Sequence, residues 1–148
     1  MKNCKPILLV EDDKVDVMTV KRAFKELNIK ASLVVAGNGE EALDYLKKAE
    51  TENPCIIFLD LNMPRMGGIE FLQIIKQDEC FRKIPVIVLT TSKEECDKAQ
   101  AFDLSTAGYM LKPVDYEQSV EIIKMIDLYW TLSEFPEEQA VVLQSLAE

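Results

Sequence analysis

The stretch Ile56-Ile57-Phe58-Leu59-Asp60-Leu61-Asn62-Met63-Pro64 runs four apolar residues into a single carboxylate. The run is continuous rather than alternating, so it reads as a strand buried on both faces. Asp60 closes it, and the Leu-Asn-Met-Pro that follows starts no helix for Asp60 to cap. Working outward, four more short apolar runs stand at Ile7–Val10, Leu33–Ala36, residues 86–89 and residues 109–111, all continuous except the last. The intervals between them have helical period. Val17, Val20, Phe24 and Leu27 recur at helical steps, residues 40–48 carry Ala42, Leu43 and Leu46, and Phe71, Leu72, Ile74 and Ile75 form another apolar face. Strands alternating with helices predict βαβ units: an α/β domain with a parallel sheet and helices on both sides. The turn residues agree. Gly37-Asn38-Gly39 precedes the second helix, Asn53-Pro54 the third strand, and Pro85 the fourth, while Pro64 and Gly67-Gly68 mark a loop.

A chain of 148 residues suits one domain with at most an appendage. It buries about 70% of its unfolded surface and needs no staples. With 17 Lys+Arg against 26 Asp+Glu the net charge is −9, and no basic run exceeds two residues. Binding to nucleic acid or an anionic membrane would need a clustered basic face, so neither is expected. There is no His, which excludes a His base, a His metal ligand and a phosphohistidine. Cys4, Cys55, Cys80 and Cys96 lie far apart with no C-x-x-C spacing, and no signal peptide or membrane-length apolar run is present. A cytoplasmic protein with four reduced thiols is expected.

In parallel α/β sheets ligands bind outside the carboxyl ends of the strands. Glu11, Asp12 and Asp13 follow the first strand, Asp60 the third, Thr90, Thr91 and Ser92 the fourth, and Lys112-Pro113 the fifth. Two carboxylates ~4 Å apart repel by roughly 4 kcal/mol at an effective dielectric near 20, so Glu11, Asp12 and Asp60 together must bind protons or a cation. An all-oxygen ligand set favours a hard ion such as Mg²⁺, which keeps open positions for a phosphoryl group. The simplest chemistry is phosphoryl transfer to Asp60, with Mg²⁺ and Lys112 neutralising charge, Thr90 bonding a phosphate oxygen and the Asn62 carbonyl as a further metal ligand. Singly the features are ordinary: Asp13 reads best as the cap of the first helix, a strand-end Lys is usually solvated, and Thr favours strands. Their order at four strand ends is what carries the reading.

Ile7-Leu-Leu-Val-Glu-Asp12, Phe58-Leu-Asp-Leu-Asn-Met-Pro64 with Gly68, Val88-Leu-Thr90 and Tyr109-Met-Leu-Lys-Pro113 resemble the receiver domain of two-component response regulators over about residues 6–130. The resemblance implies a flavodoxin-like, three-layer α/β/α fold whose five parallel strands take the order 2-1-3-4-5. It implies Glu11 and Asp12 as the acidic Mg²⁺ pair, Asp60 as phosphoacceptor, Asn62 as carbonyl ligand, Thr90 as switch hydroxyl, Tyr109 as switch aromatic and Lys112 as the family's lysine. Glu11 stands where many members have Asp; its extra methylene allows water-mediated contact, and metal binding is expected to persist. A histidine kinase is the implied donor, with acetyl phosphate as a small-molecule alternative, and the chain is expected to catalyse only its own phosphorylation and dephosphorylation.

Thr90-Thr91-Ser92, Lys112-Pro113-Val114-Asp115, Asp127-Leu-Tyr-Trp-Thr-Leu132 and Phe135-Pro136 are further similar to single-domain response regulators associated with bacterial phytochromes. That resemblance implies pairing through the fourth-helix, fifth-strand and fifth-helix face. The segment Tyr116–Leu132 argues the same way, because its apolar residues project around most of the helix while a surface helix shows one stripe. Residues 1–132 are expected to form the receiver, and 133–148 an extension with a short helix after Pro136 that helps cover that second face in a homodimer. Three other readings stay open: a phosphatase with an Asp nucleophile, which would want an acid where Asn62 stands; a flavin carrier, whose phosphate Glu11-Asp12-Asp13 would repel; and a degenerate receiver that binds protein without being phosphorylated.

Overall fold

The computed structural model describes residues 5–48 and 52–133. The elements run β1 (Ile7–Val10), α1 (Lys14–Glu26), β2 (Leu33–Ala36), α2 (Gly39–Lys47), β3 (Ile56–Leu59), α3 (Gly68–Lys76), β4 (Val86–Thr90), α4 (Glu95–Asp103), β5 (Gly108–Leu111) and α5 (Tyr116–Leu132). All pairings are parallel and the sheet order is β2-β1-β3-β4-β5, the doubly wound arrangement the sequence predicts. The expected C-terminal helix lies outside the described residues.

Strand period divides the core in two. Leu8, Val10, Ile57, Leu59, Val86 and Val88 face α2 and α3, where they meet Leu43, Leu46, Phe71, Leu72 and Ile75. Ile7, Leu9, Ile56, Phe58 and Ile87 face α1 and α5 and meet Val20, Phe24, Ile123, Ile126 and Trp130. Burial on both faces holds for β1 and β3, whose residues are all buried, and for most of β4. It fails for β2, where Val35 is exposed and only Ala36 is fully buried, although Leu33–Ala36 is a continuous apolar run. β2 and β5 are the sheet edges, with one neighbouring strand each, so helices cover them incompletely.

Local chemistry sets the helix starts. The Asp13 carboxylate accepts from the N–H groups of Val15 and Asp16, Asn38 accepts from Glu41 N–H, and Asp115 from Gln118 N–H. α3 has no side-chain cap and begins instead at a close approach. A Cβ on Gly68 would fall on the Asp60 carbonyl oxygen and 2.8 Å from Leu61 Cα, so only glycine lets α3 start directly beneath the loop after β3. α4 is thinly anchored, with Ala101 its one buried residue. α5 buries Ile123, Ile126 and Trp130, while Met125, Leu128, Tyr129 and Leu132 on its other side are exposed. At its start α5 is clasped to α1: the Arg22 guanidinium stacks 4.0 Å over the Tyr116 ring, and the Tyr116 hydroxyl donates to Glu26 at 2.8 Å.

The Gly68 approach yields a test. Gly68→Ala should lower stability by about 2 kcal/mol, read as a reduced urea midpoint, because the added methyl meets backbone rather than a movable side-chain end.

Candidate functional site

The site forms where the ladder continues one residue beyond the strands. Glu11 N–H donates to the Ala36 carbonyl at 2.9 Å, Asp60 N–H to Val10 at 3.0 Å, and Lys112 N–H to Thr90 at 2.8 Å. These bonds hold the three charged residues in register at one rim. Thr90, expected just after the fourth strand, is its last residue, paired with Leu111 and fully buried.

Glu11 and Asp60 are 4% and 5% exposed, Asp12 is exposed, and their carboxylate oxygens lie within 4.8 Å of one another. Lys112 reaches across from the end of β5. Its Nζ lies 2.7 Å from Glu11 Oε2 and 3.3 Å from Asp60 Oδ2. The other oxygen of Asp60 accepts from Leu61 N–H at 2.8 Å, and Glu11 Oε1 accepts from Asp13 N–H at 3.1 Å. Burial pushes the Glu11 carboxyl from 4.5 up to about 7, aided by the charge of Asp60 and opposed by hydrogen bonds from Lys112 and the Asp13 N–H. Burial alone would lower the Lys112 pKa, but hydrogen bonds to Asp16 and Glu11 and the charge of Asp60 outweigh it and raise it.

The rim therefore asks for positive charge that one ammonium does not fully supply. Clustered carboxylate oxygens without nitrogen or sulfur ligands fit a hard divalent ion, and the ammonium 2.7 Å from Glu11 shows a cation already drawn into the cluster. Glu11, Asp12 and Asp60 are the side chains that could hold it. Asn62 lies exposed on the loop two residues past Asp60.

Beside this cluster Thr90 Oγ1 accepts from Ser92 N–H at 3.3 Å. Ser92 is buried. Its hydroxyl donates to Asp97 on α4 at 2.6 Å, and its carbonyl accepts from the Tyr109 hydroxyl at 2.9 Å. Thr90 and Tyr109 are thus joined through one residue of the β4–α4 loop, and Tyr109 is half-buried.

One rim residue escaped sequence analysis. Asp16 Oδ2 lies 2.7 Å from Lys112 Nζ. Asp16 stands in the first turn of α1, three residues after the Asp13 cap, where an acidic side chain needs no explanation beyond the helix dipole. Helical spacing from the rim was the available signal: the helix after β1 starts above the site, so its first turn faces Lys112. A cavity of about 170 Å³ opens behind, between α1 and the β5–α5 loop, lined by Val15, Leu89, Val114 and Ile122 as well as Asp60 and Lys112.

The comparisons agree with the fold. Residues 7–124 match the response regulator receiver domain, and the chain belongs to that family. It is 37% identical to the probable methanogenesis regulatory protein FilR2 of Methanothrix harundinacea, covering 84% of this chain and 82% of the relative. It is 36% identical to response regulator Rcp1 of Synechocystis over 85% of this chain and 88% of that one. The Mn²⁺-bound structure of Rcp1 matches with a TM-score of 0.82 and 33% identity, over 90% of this chain and 99% of the other. The phosphorylated cyanobacterial phytochrome response regulator RcpA matches with a TM-score of 0.84 and 35% identity, over 90% and 99%. The relatives therefore include response regulators of phytochromes, as the residues after the fourth and fifth strands predict. Among the described residues no helix is long and apolar enough to cross a membrane, and Cys55, Cys80 and Cys96 are unpaired.

The raised Glu11 pKa gives stability a definite pH slope. Folded Glu11 keeps its proton up to about pH 7, whereas unfolded Glu11 loses it near 4.5, so the folded state binds more protons between these values. Its contribution is complete below pH 4.5 and is lost as pH rises through 7. Urea midpoints measured across this window in a chelator should fall with pH in the wild type, and Glu11→Gln should flatten the fall.

Proposed function

We propose that this chain is a phosphorylation-controlled signalling protein in which Asp60 accepts a phosphoryl group from a histidine kinase, a phytochrome-type kinase being the best match to its relatives. The observation that carries the proposal is the buried Asp60 carboxylate, set among Glu11, Asp12 and Lys112 at the carboxyl rim of the sheet. An oxygen of Asp60 forms the bond to phosphorus. The bond from phosphorus to the donor breaks, and the donor, a histidine nitrogen of the kinase or the acetate of acetyl phosphate, leaves with that electron pair. Glu11, Asp12, Asp60 and the Asn62 carbonyl would hold a Mg²⁺ ion, which would supply positive charge for the phosphoryl oxygens. Lys112 adds its ammonium to the same oxygens, and Thr90 a hydroxyl donor. With no His in the chain, the phosphoryl group comes from outside. The chemistry is confined to the chain's own phosphorylation and dephosphorylation, in a cytoplasmic setting where its thiols stay reduced.

The Thr90–Ser92–Tyr109 linkage supports a two-state output. When Thr90 turns to a phosphoryl oxygen, its bond to Ser92 N–H breaks and the β4–α4 loop moves with it. The Ser92 carbonyl then releases Tyr109, whose ring turns into the space Thr90 leaves. α4, whose one buried residue is Ala101, is the helix with least to lose in moving. The surface of α4, β5 and α5 carries exposed Phe102, Leu111, Met125, Leu128 and Tyr129, apolar area suited to a second copy of the chain or a downstream protein. The C-terminal extension expected to help cover that face lies outside the described residues.

Incubation with Mg²⁺ and acetyl phosphate, followed by intact mass, should show a gain of one phosphoryl group. Asp60→Asn and a chelated sample should show none, and a gain in Asp60→Asn would move the acceptor elsewhere. Sedimentation of the phosphorylated protein should differ from the unmodified form, and Thr90→Ala should abolish that difference while still accepting the phosphoryl group.

A further inference from the structure

Lys112 is held by three carboxylates, and they are not equivalent. Glu11 and Asp60 belong to the cluster that fits a divalent ion, whereas Asp16 lies outside it. Asp16 approaches the ammonium as closely as Glu11 does, at 2.7 Å. Its contact is shorter than the 3.3 Å to Asp60, and its side chain is the most solvent-exposed of the three, 38% against 3% for Glu11 and 6% for Asp60.

The local wiring leaves Asp16 free for this contact. An acid three residues past a helix cap commonly turns back to the cap's own N–H. Here Asp13 N–H is already taken by Glu11 Oε1 at 3.1 Å, so the Asp16 carboxylate points to Lys112 instead. The cap itself bonds Asp16 N–H at 3.2 Å and fixes where the side chain starts. α1 is anchored in turn by Val20, Ala23 and Phe24.

We propose that Asp16 is a positioning residue that keeps the Lys112 ammonium at the rim once Glu11 and Asp60 are engaged by a metal ion or a phosphoryl group. The inference rests on the phosphoryl-accepting function proposed for Asp60. Without Asp16, engagement of Glu11 and Asp60 leaves a long, flexible lysine with no fixed counter-charge, and it swings to solvent. With Asp16, the ammonium pivots on α1 within reach of an incoming phosphoryl oxygen.

The test pairs a rate with a spectroscopic signal. Phosphorylation by acetyl phosphate in Mg²⁺ is followed by intact mass for the wild type, Asp16→Asn and Asp16→Glu, and for Asp16→Asn combined with Lys112→Met. Asp16→Asn should slow uptake about tenfold, the loss of one charge-assisted hydrogen bond. Asp16→Glu should recover most of it. In the Lys112→Met background Asp16→Asn should change nothing further, whereas a merely structural Asp16 would slow both backgrounds alike. The ammonium signal of Lys112 in ¹⁵N NMR, assigned by its absence from Lys112→Met, should persist when Mg²⁺ is added to the wild type and vanish into solvent exchange in Asp16→Asn. Equal rates with a persistent signal in Asp16→Asn would overturn the proposal. If the wild type accepts no phosphoryl group, the Asp60 function fails on its own, and the ammonium signal still decides the role of Asp16.

Discussion

The buried ammonium of Lys112 is the constraint around which the rim is organised. Glu11 and Asp60 stand nearly solvent-free, with a carboxylate oxygen of each within 4.8 Å of the other and of Asp12, and the ammonium offsets part of their repulsion. Lys112 in turn is 88% covered, and its charge is tolerated because Asp16, Glu11 and Asp60 surround it. One positive charge facing four carboxylates leaves the rim electron-rich. A site in that condition is stable enough to fold and is still drawn to further positive charge, the property a metal-assisted phosphoryl acceptor needs.

The scaffold supplies the precision. Three backbone hydrogen bonds beyond the strand ends hold Glu11, Asp60 and Lys112 in register, so rim geometry inherits the rigidity of the two-sided core. The close packing at Gly68 secures the loop that follows Asp60. Rigidity stops at β4. Beyond Thr90 the chain passes through Ser92 to an α4 that buries one residue, and the edge strand β5 presents Tyr109 beside it. A firm site next to a lightly held helix is the combination that lets a local change in charge become a change in surface.

Much of this was legible in the residues. Apolar runs marked the five strands, four of them continuous, and three of those four proved to be buried as such runs imply. The same pattern misled at Leu33–Ala36, because composition records what a strand can bury and not how many neighbours it has. Asp60 was conspicuous since no helix follows it, and Glu11, Asp12, Thr90 and Lys112 were conspicuous by position after strands. Asp16 was not, because an acid in a first helical turn has a sufficient local explanation. Ser92 likewise was visible only as a residue near Thr90, and its bonds to Tyr109 and Asp97 depend on how β5 and α4 lie beside the loop.

What the sequence determined by itself is what short-range chemistry dictates: the alternation of strands and helices, the cap at Asp13, the turn at Gly37-Asn38-Gly39, and the roster of charged residues at the rim. What only the tertiary structure decided is who meets whom. Lys112 and Asp16 stand 96 positions apart in the chain and are joined by no periodicity. They meet because parallel crossovers carry β5 to the sheet edge and return α5 against α1, which sets a lysine at one strand end above the first turn of a helix that began at another. Local patterns determine elements because their energies are summed over neighbours in sequence, whereas a buried ion pair is determined by the superposition of elements, which exists only once the core has closed.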